Sequence, residues 1–156
     1  MAFGETPKGL RLLNEIITND PLYARAHFQL GKIYYYEIQD YQTAGYHFKT
    51  CMELEPAFPD VYFHYMHLVV FLDMEKLVKH VKEKALATAG VDAAAIYDLS
   101  GLFFEKNKQW SKALVDYRKA FIEVTDKHQK DDIKESIDRV TNKIQQGLVY
   151  NYQIVD

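Results

Sequence analysis

The sequence predicts an all-α fold, about eight helices stacked as helical hairpins into a short solenoid. Three observations carry this. Pro21, Pro56 and Gly90 each close an apolar, periodic segment, at separations of 35 and 34 residues, and periods of that length mark paired-helix repeats. Leu30, Gly31, Tyr34, Tyr35, Tyr41, Ala44, Phe48 and Cys51 match Leu99, Ser100, Phe103, Phe104, Trp110, Ala113, Tyr117 and Ala120, each pair 69 residues apart. Within the periods, apolar residues recur at helical spacing, and no segment alternates as a half-buried strand would.

Residues 7–21 read as the second half of a unit, with Gly9, Leu13, Ile16 and Ile17 at the matching positions. In the unit 24–58, Phe28, Leu30, Ile33, Tyr34 and Ile38 form a first helix. Asp40 is the expected N-cap of a second, which carries Tyr41, Ala44, Phe48, Cys51 and Met52 on one face. One residue is inserted between these helices, around "YYYEIQD". The unit 59–92 is degenerate, with Met66 where a small residue is expected and Val78 where an alanine is. Asp73 is the expected cap of its second helix, whose stripe is Leu77, Val78, Val81 and Ala85. The unit 93–126 keeps the full pattern but lacks a closing proline. Ile133, Ile137, Val140 and Ile144 make a narrow apolar stripe on a charged helix over 129–146, suited to sealing the end of a solenoid. Gly147 is the expected C′ residue, closing a single domain of residues 1–147. The tail 148–156, "LVYNYQIVD", shows no helical signal.

The run Leu30-Gly31-x-x-Tyr34, followed by Ala44-x-x-x-Phe48-x-x-Cys51-Met52-x-Leu54-x-Pro56, closely resembles the tetratricopeptide repeat (TPR). Small residues at Gly31, Ala44 and Cys51 let paired helices approach, and the large ones fill the gaps between them. The resemblance covers about residues 7–126. It implies a right-handed superhelix whose first helices line a concave groove.

At the groove positions the resemblance places Arg25, Phe28, Lys32, Tyr35 and Tyr36, then Asp60, Phe63, His67, Val70 and Phe71, then Ala94, Tyr97, Gly101, Phe104 and Glu105. Tyr34, Tyr41, Tyr62, Phe103 and Trp110 fall at packing positions. The peptide-binding residues expected on this basis are Phe28, Lys32, Tyr35, Tyr36, Phe63, His67, Val70, Tyr97 and Phe104. Family members that grip a C-terminal carboxylate use lysines, asparagines and an arginine. The corresponding positions here hold Phe28, Lys32, His64, Ala94 and Asp98, with Lys32 the one fixed cation, so a carboxylate clamp is not expected.

Composition narrows the function. Hydrophobic residues at 48% and aromatics at 14% exclude a disordered chain. Nineteen Lys and Arg against 22 Asp and Glu argue against a nucleic-acid surface. The one cysteine, Cys51, falls at a small core position and suits a reducing compartment. No secretory signal is read at the start, and "VYFHYMHLVVFL" is too short to span a bilayer, so a cytoplasmic location without membrane contact is expected. His64 and His67 with Asp60 have helical spacing for a metal but no closed ligand set, so no metal is expected. No phosphate-binding glycine loop, nucleophile elbow or carboxylate pair is present, and neither cofactor nor catalysis is expected.

The expected function is a non-catalytic module for protein–protein interaction, an adaptor or assembly scaffold that holds a peptide segment or another copy of itself. The alternative is a small-molecule binder or enzyme using the aromatic groove as a pocket, which would need an enclosed cavity around His67 and Tyr97. An apolar edge at Leu10, Leu13 and Ile17 and the aromatic tail point to a homodimer, or to a tail folded back in cis with Phe3 covering the same surface.

Overall fold

The computed structural model describes residues 5–154. Among these there are eight α-helices and no strand: α1 (Glu5–Asn19), α2 (Ala24–Lys32), α3 (Tyr41–Leu54), α4 (Asp60–Phe71), α5 (Glu75–Leu86), α6 (Ala93–Lys106), α7 (Trp110–Glu123) and α8 (Lys127–Ile154). Helix α2 runs on as a π-helical turn over Ile33–Ile38. Helices α2 and α3, α4 and α5, and α6 and α7 pack as three hairpins, which α4 and α6 link into one stack.

The sequence explains how each hairpin closes. Without a Cβ, Gly31 admits the Phe48 ring so closely that an added Cβ would lie 2.6 Å from it, and Gly101 does the same for Tyr117 at 2.6 Å. The middle hairpin inverts the sizes: Met66 fills the small position and is fully buried, while Lys82 stands where the other hairpins have a ring. Lys82 reaches across to Asp116 Oδ2 of α7 at 2.7 Å.

Gly101, and not Ser100, is therefore the counterpart of Gly31. Ser100 instead donates its hydroxyl to Asp116 Oδ2 at 2.6 Å. A single offset of 69 cannot serve both helices, because the first hairpin carries one more residue than the third. That residue is absorbed in the π turn, the usual structural form of a one-residue insertion into a helix.

The turns inside the hairpins repeat too. Gln39 (φ 62°), Asp73 (φ 58°) and Lys108 (φ 57°) are left-handed at equivalent points. In the second and third hairpins the next N–H bonds back over five residues, Met74 to the Val69 carbonyl (3.0 Å) and Gln109 to that of Phe104 (2.9 Å). In the first, Asp40 N–H reaches back six, to Tyr34, at 2.9 Å. These are Schellman closures, widened in the first hairpin by the π turn. Asp40 then caps α3 by accepting from Thr43 N at 3.1 Å. Asp73 does not cap α5, because it is used up as the left-handed turn residue; its carboxylate accepts from Asn107 Nδ2 at 2.7 Å. Asp92 and Asp126 cap α6 and α8, accepting from Ala95 N and Gln129 N at 3.1 and 2.9 Å.

At the C-terminal end the α8 stripe packs as its spacing predicts. Ile133 and Ile137 meet Ala94, Ala120 and Val124, while Val140 and Ile144 meet Ala113 and Tyr117. Gly147 does not end the helix, which continues to Ile154. One helical glycine costs only about 1 kcal/mol, too little to break a long helix. The side chains of Tyr150, Tyr152 and Ile154, and Phe3, lie outside the described residues.

Ala113 is fully buried against Tyr117 and Val140. Ala113→Leu is expected to overpack this contact and cost about 1–3 kcal/mol. An unchanged thermal midpoint in that variant would contradict the packing.

Candidate functional site

The register set by Gly31, Met66 and Gly101 places Lys32, His67 and Leu102 at one equivalent position on α2, α4 and α6, and Tyr36, Phe71 and Lys106 at another. The π turn swings two tyrosines toward α4. Tyr35 shares a 2.7 Å hydrogen bond with Nδ1 of His67, and Tyr36 shares one of 2.7 Å with Nδ1 of His64. Ring contacts spread outward from these pairs: Phe63 lies 5.2 Å from His64, Tyr36 lies 6.2 Å from His67, and Phe71 lies 5.2 Å from Tyr41. The result is one continuous aromatic face on α2 and α4.

Its electrostatics are those of a neutral surface. Burial, with the nearby Lys32 and His67 charges, pushes the His64 pKa down to about 4, and burial lowers that of His67. Burial pushes the Tyr35 hydroxyl up to about 12 and raises that of Tyr36. Both His–Tyr pairs are therefore uncharged at neutral pH. Lys32, its ammonium 4.8 Å from the centre of the Phe28 ring, adds a cation at the edge.

The residues expected in the groove divide on this face. Tyr36 (44% exposed), Phe63 (40%) and Phe71 (52%) are open to solvent, and Lys32 and His67 are half-buried. Phe28, Tyr35 and Val70 are buried and belong to the core. Phe28 is sealed beneath Phe58 and His64, at ring separations of 5.1 and 5.5 Å.

Tyr97 and Phe104 are not on this face at all. Tyr97 packs against Ala94, Ala120 and Ile133, and the ammonium groups of Lys82 and Lys119 each lie 5.5 Å from its ring centre. Phe104 packs between the main core and the cluster of Ala113, Tyr117 and Val140. Their displacement follows from the one-residue shift in the third hairpin, which brings Leu102 outward instead, 42% exposed. Leu102 was not legible as a groove residue. The tandem small residues of Ser100-Gly101 allow two registers, and only the ring contact of Gly101 decides between them.

Gly101, Ala94 and Glu105 are buried. Glu105 ties the last hairpin to α8, accepting from Arg139 Nε (2.7 Å), Arg139 Nη2 (2.9 Å), Lys143 Nζ (3.0 Å) and the Tyr117 hydroxyl (2.7 Å). Arg139, then Tyr117 and Lys143, hold its carboxyl at about 2 against the cost of burial. This carboxylate is a structural clasp. Burial pushes the Cys51 thiol up to about 12, so it is a protonated core residue and not a nucleophile. Among the described residues no group of three or more His, Cys, Asp or Glu is placed to hold a metal ion. No helix among them is long and apolar enough to cross a membrane.

No protein-family model and no curated protein matches the sequence. Solved structures do match in fold. A MamA crystal structure superposes with a TM-score of 0.67 at 17% identity, over 94% of this chain and 93% of that one. MamA residues 41 to the end from Desulfovibrio magneticus RS-1 gives 0.65 at 20% identity, over 92% and 88%. The Arabidopsis OM64 TPR domain gives 0.63 at 16% identity, over 75% and 93%. Identities this low speak for the fold alone, and that fold is the one the hairpins, turns and glycine contacts build: the chain has a TPR-like helical repeat fold.

Proposed function

We propose that this protein is a non-catalytic adaptor or assembly subunit, holding an apolar segment of a partner protein or of another copy against the face formed by Tyr36, Phe63, His67 and Phe71. One observation carries the reading. Phe63 and Phe71 stand open beside neutral His–Tyr pairs that rigidify the surface, although a fully buried core lies directly beneath. Exposed rings in a fixed array give contact area at little entropic cost and resemble the anchors of protein interfaces. The nearly neutral face, with Lys32 and Lys106 near its rim, suits an apolar segment better than a strongly charged one.

The alternative of an enclosed pocket between His67 and Tyr97 loses support, since Tyr97 packs toward α7 and α8. Rigid stacked helices with a preformed surface support the interaction-module reading, and the occupant of this particular face is part of the same proposal.

The double variant Phe63→Ala/Phe71→Ala tests it. Both rings are only about half buried and lie outside the core, so helicity should persist while partner capture, read by affinity purification and mass spectrometry, falls at least about tenfold. Capture unchanged in the variant would move the interface elsewhere. Light scattering of the two proteins separates the occupants: a mass that falls to the monomer in the variant identifies a second copy.

A further inference from the structure

We propose a second binding site on a different face, a slot between α3 and α5 that takes a small amphiphilic carboxylate of fatty-acid type. The slot has a volume of about 460 Å³, within the usual range for small-molecule sites. Tyr41 and Gly45 of α3 form one wall and Leu72 and Leu77 the other, with Tyr65 and Leu68 of α4 as the floor. These linings are almost wholly apolar. Lys49 is the one charged residue that lines the slot, exposed at the rim; Glu53 sits beside it, and its charge also reaches the Tyr65 floor.

Gly45 is the decisive residue. It lies inside α3, where helix propensity favours alanine. Gly31 and Gly101 are required by rings that would come within 2.6 Å of a Cβ. Gly45 has no such reason: a Cβ there would meet only Leu68 Cδ2, at an ordinary 3.7 Å. Helix packing does not need this glycine, whereas the slot does, because any long side chain at this position would occupy it.

The volume and the charge select the occupant. One turn of a helix with its side chains takes up roughly 400 Å³, so a partner helix could insert no more than a single turn. An unbranched acyl chain fits along the apolar walls. Lys49 has only a loose 3.8 Å pairing with Glu53, between two exposed side chains, and is available for a carboxylate head. The slot opens on a different side from the aromatic face but adjoins it through Tyr41, whose ring lies 5.2 Å from Phe71.

Calorimetric titration of the full chain with decanoate, and displacement of 1-anilinonaphthalene-8-sulfonate by it, test the assignment. Saturable one-to-one binding is expected. Gly45→Leu should abolish it while leaving the thermal midpoint equal or higher, and Gly45→Ala should keep the fold and weaken binding. Lys49→Met, on the exposed rim, should weaken decanoate up to about fivefold and leave decanol unaffected, as a solvent-exposed charge pair allows. Absence of saturable binding, or undiminished binding by Gly45→Leu, overturns the site. Equal loss of decanoate and decanol in Lys49→Met overturns the carboxylate. If the protein refuses decanoate but Gly45→Leu breaks self-association or partner capture, the slot belongs to a protein segment and the assignment fails.

Discussion

Gly101→Ala is expected to destabilise the protein by about 1–3 kcal/mol, and Gly101→Leu by at least the upper end of that range. The new Cβ would sit 2.6 Å from the Tyr117 ring. Such a clash is cheap only if the neighbour can retreat. Tyr117 cannot: it is 1% exposed, its hydroxyl donates to Glu105 at 2.7 Å, and Glu105 is itself held by Arg139 and Lys143 from α8. Moving the ring would therefore open the hairpin and loosen the terminal helix together. Chemical denaturation of the two variants beside Ser100→Ala checks this. Ser100→Ala keeps that position small and should lose only its hydrogen bond to Asp116; an unchanged stability in Gly101→Ala would contradict the Tyr117 contact and restore the register in which Ser100 is the small residue.

That one-residue choice marks how far the sequence could be read. Three hairpins, a helix before them and the apolar stripe of α8 follow from periodicity, because burying one face of a helix constrains every third or fourth residue. The Asp40 cap and the extra residue near "YYYEIQD" were legible for the same kind of local reason. The form of the insertion was not. A π turn and a longer loop absorb one residue equally well in sequence, but only the π turn aims Tyr35 and Tyr36 at the α4 histidines. Asp73 misled because aspartate serves both as an N-cap and as a left-handed turn residue. Phe28, Tyr35 and Val70 misled because a position bordering a groove can be covered by a neighbouring ring. No pattern in a single sequence reports that Phe58 and His64 close over Phe28.

Acidification from neutral pH to about 4 is expected to remove a large part of the stability, with the first loss tied to a buried histidine pair. His27 Nδ1 and His47 Nδ1 lie 3.0 Å apart, and His27 Nε2 donates to the Pro21 carbonyl at 2.9 Å. In the neutral pair His27 Nδ1 must then accept, so His47 supplies the proton between them. His47 is also stacked on Tyr34, at 5.7 Å and 15°. Burial, then the charge on His27, pushes the His47 pKa from 6.5 down to about 4. The unfolded chain thus binds a proton below about 6.5 that the folded chain refuses until about 4. Stability from this group is complete above the upper value and is lost as pH falls toward the lower one, a loss on the order of 3 kcal/mol. His64, with its pKa also about 4, titrates in the same window and weakens the aromatic face with it. Glu105 acts lower: its pKa falls from 4.5 to about 2, so its contribution is present above 4.5 and disappears only toward 2. Urea unfolding at about pH 7.5, 6, 5 and 4 should show the unfolding free energy falling before any carboxylate window is reached. His47→Gln, which keeps a donor within reach of His27 but cannot titrate, should be less stable at neutral pH and show a shallower fall between pH 6.5 and 4. A wild-type stability that stays flat until pH 4.5 would mean that His47 and His64 charge freely in the folded protein, and that neither the buried pair nor the neutral aromatic face exists as described.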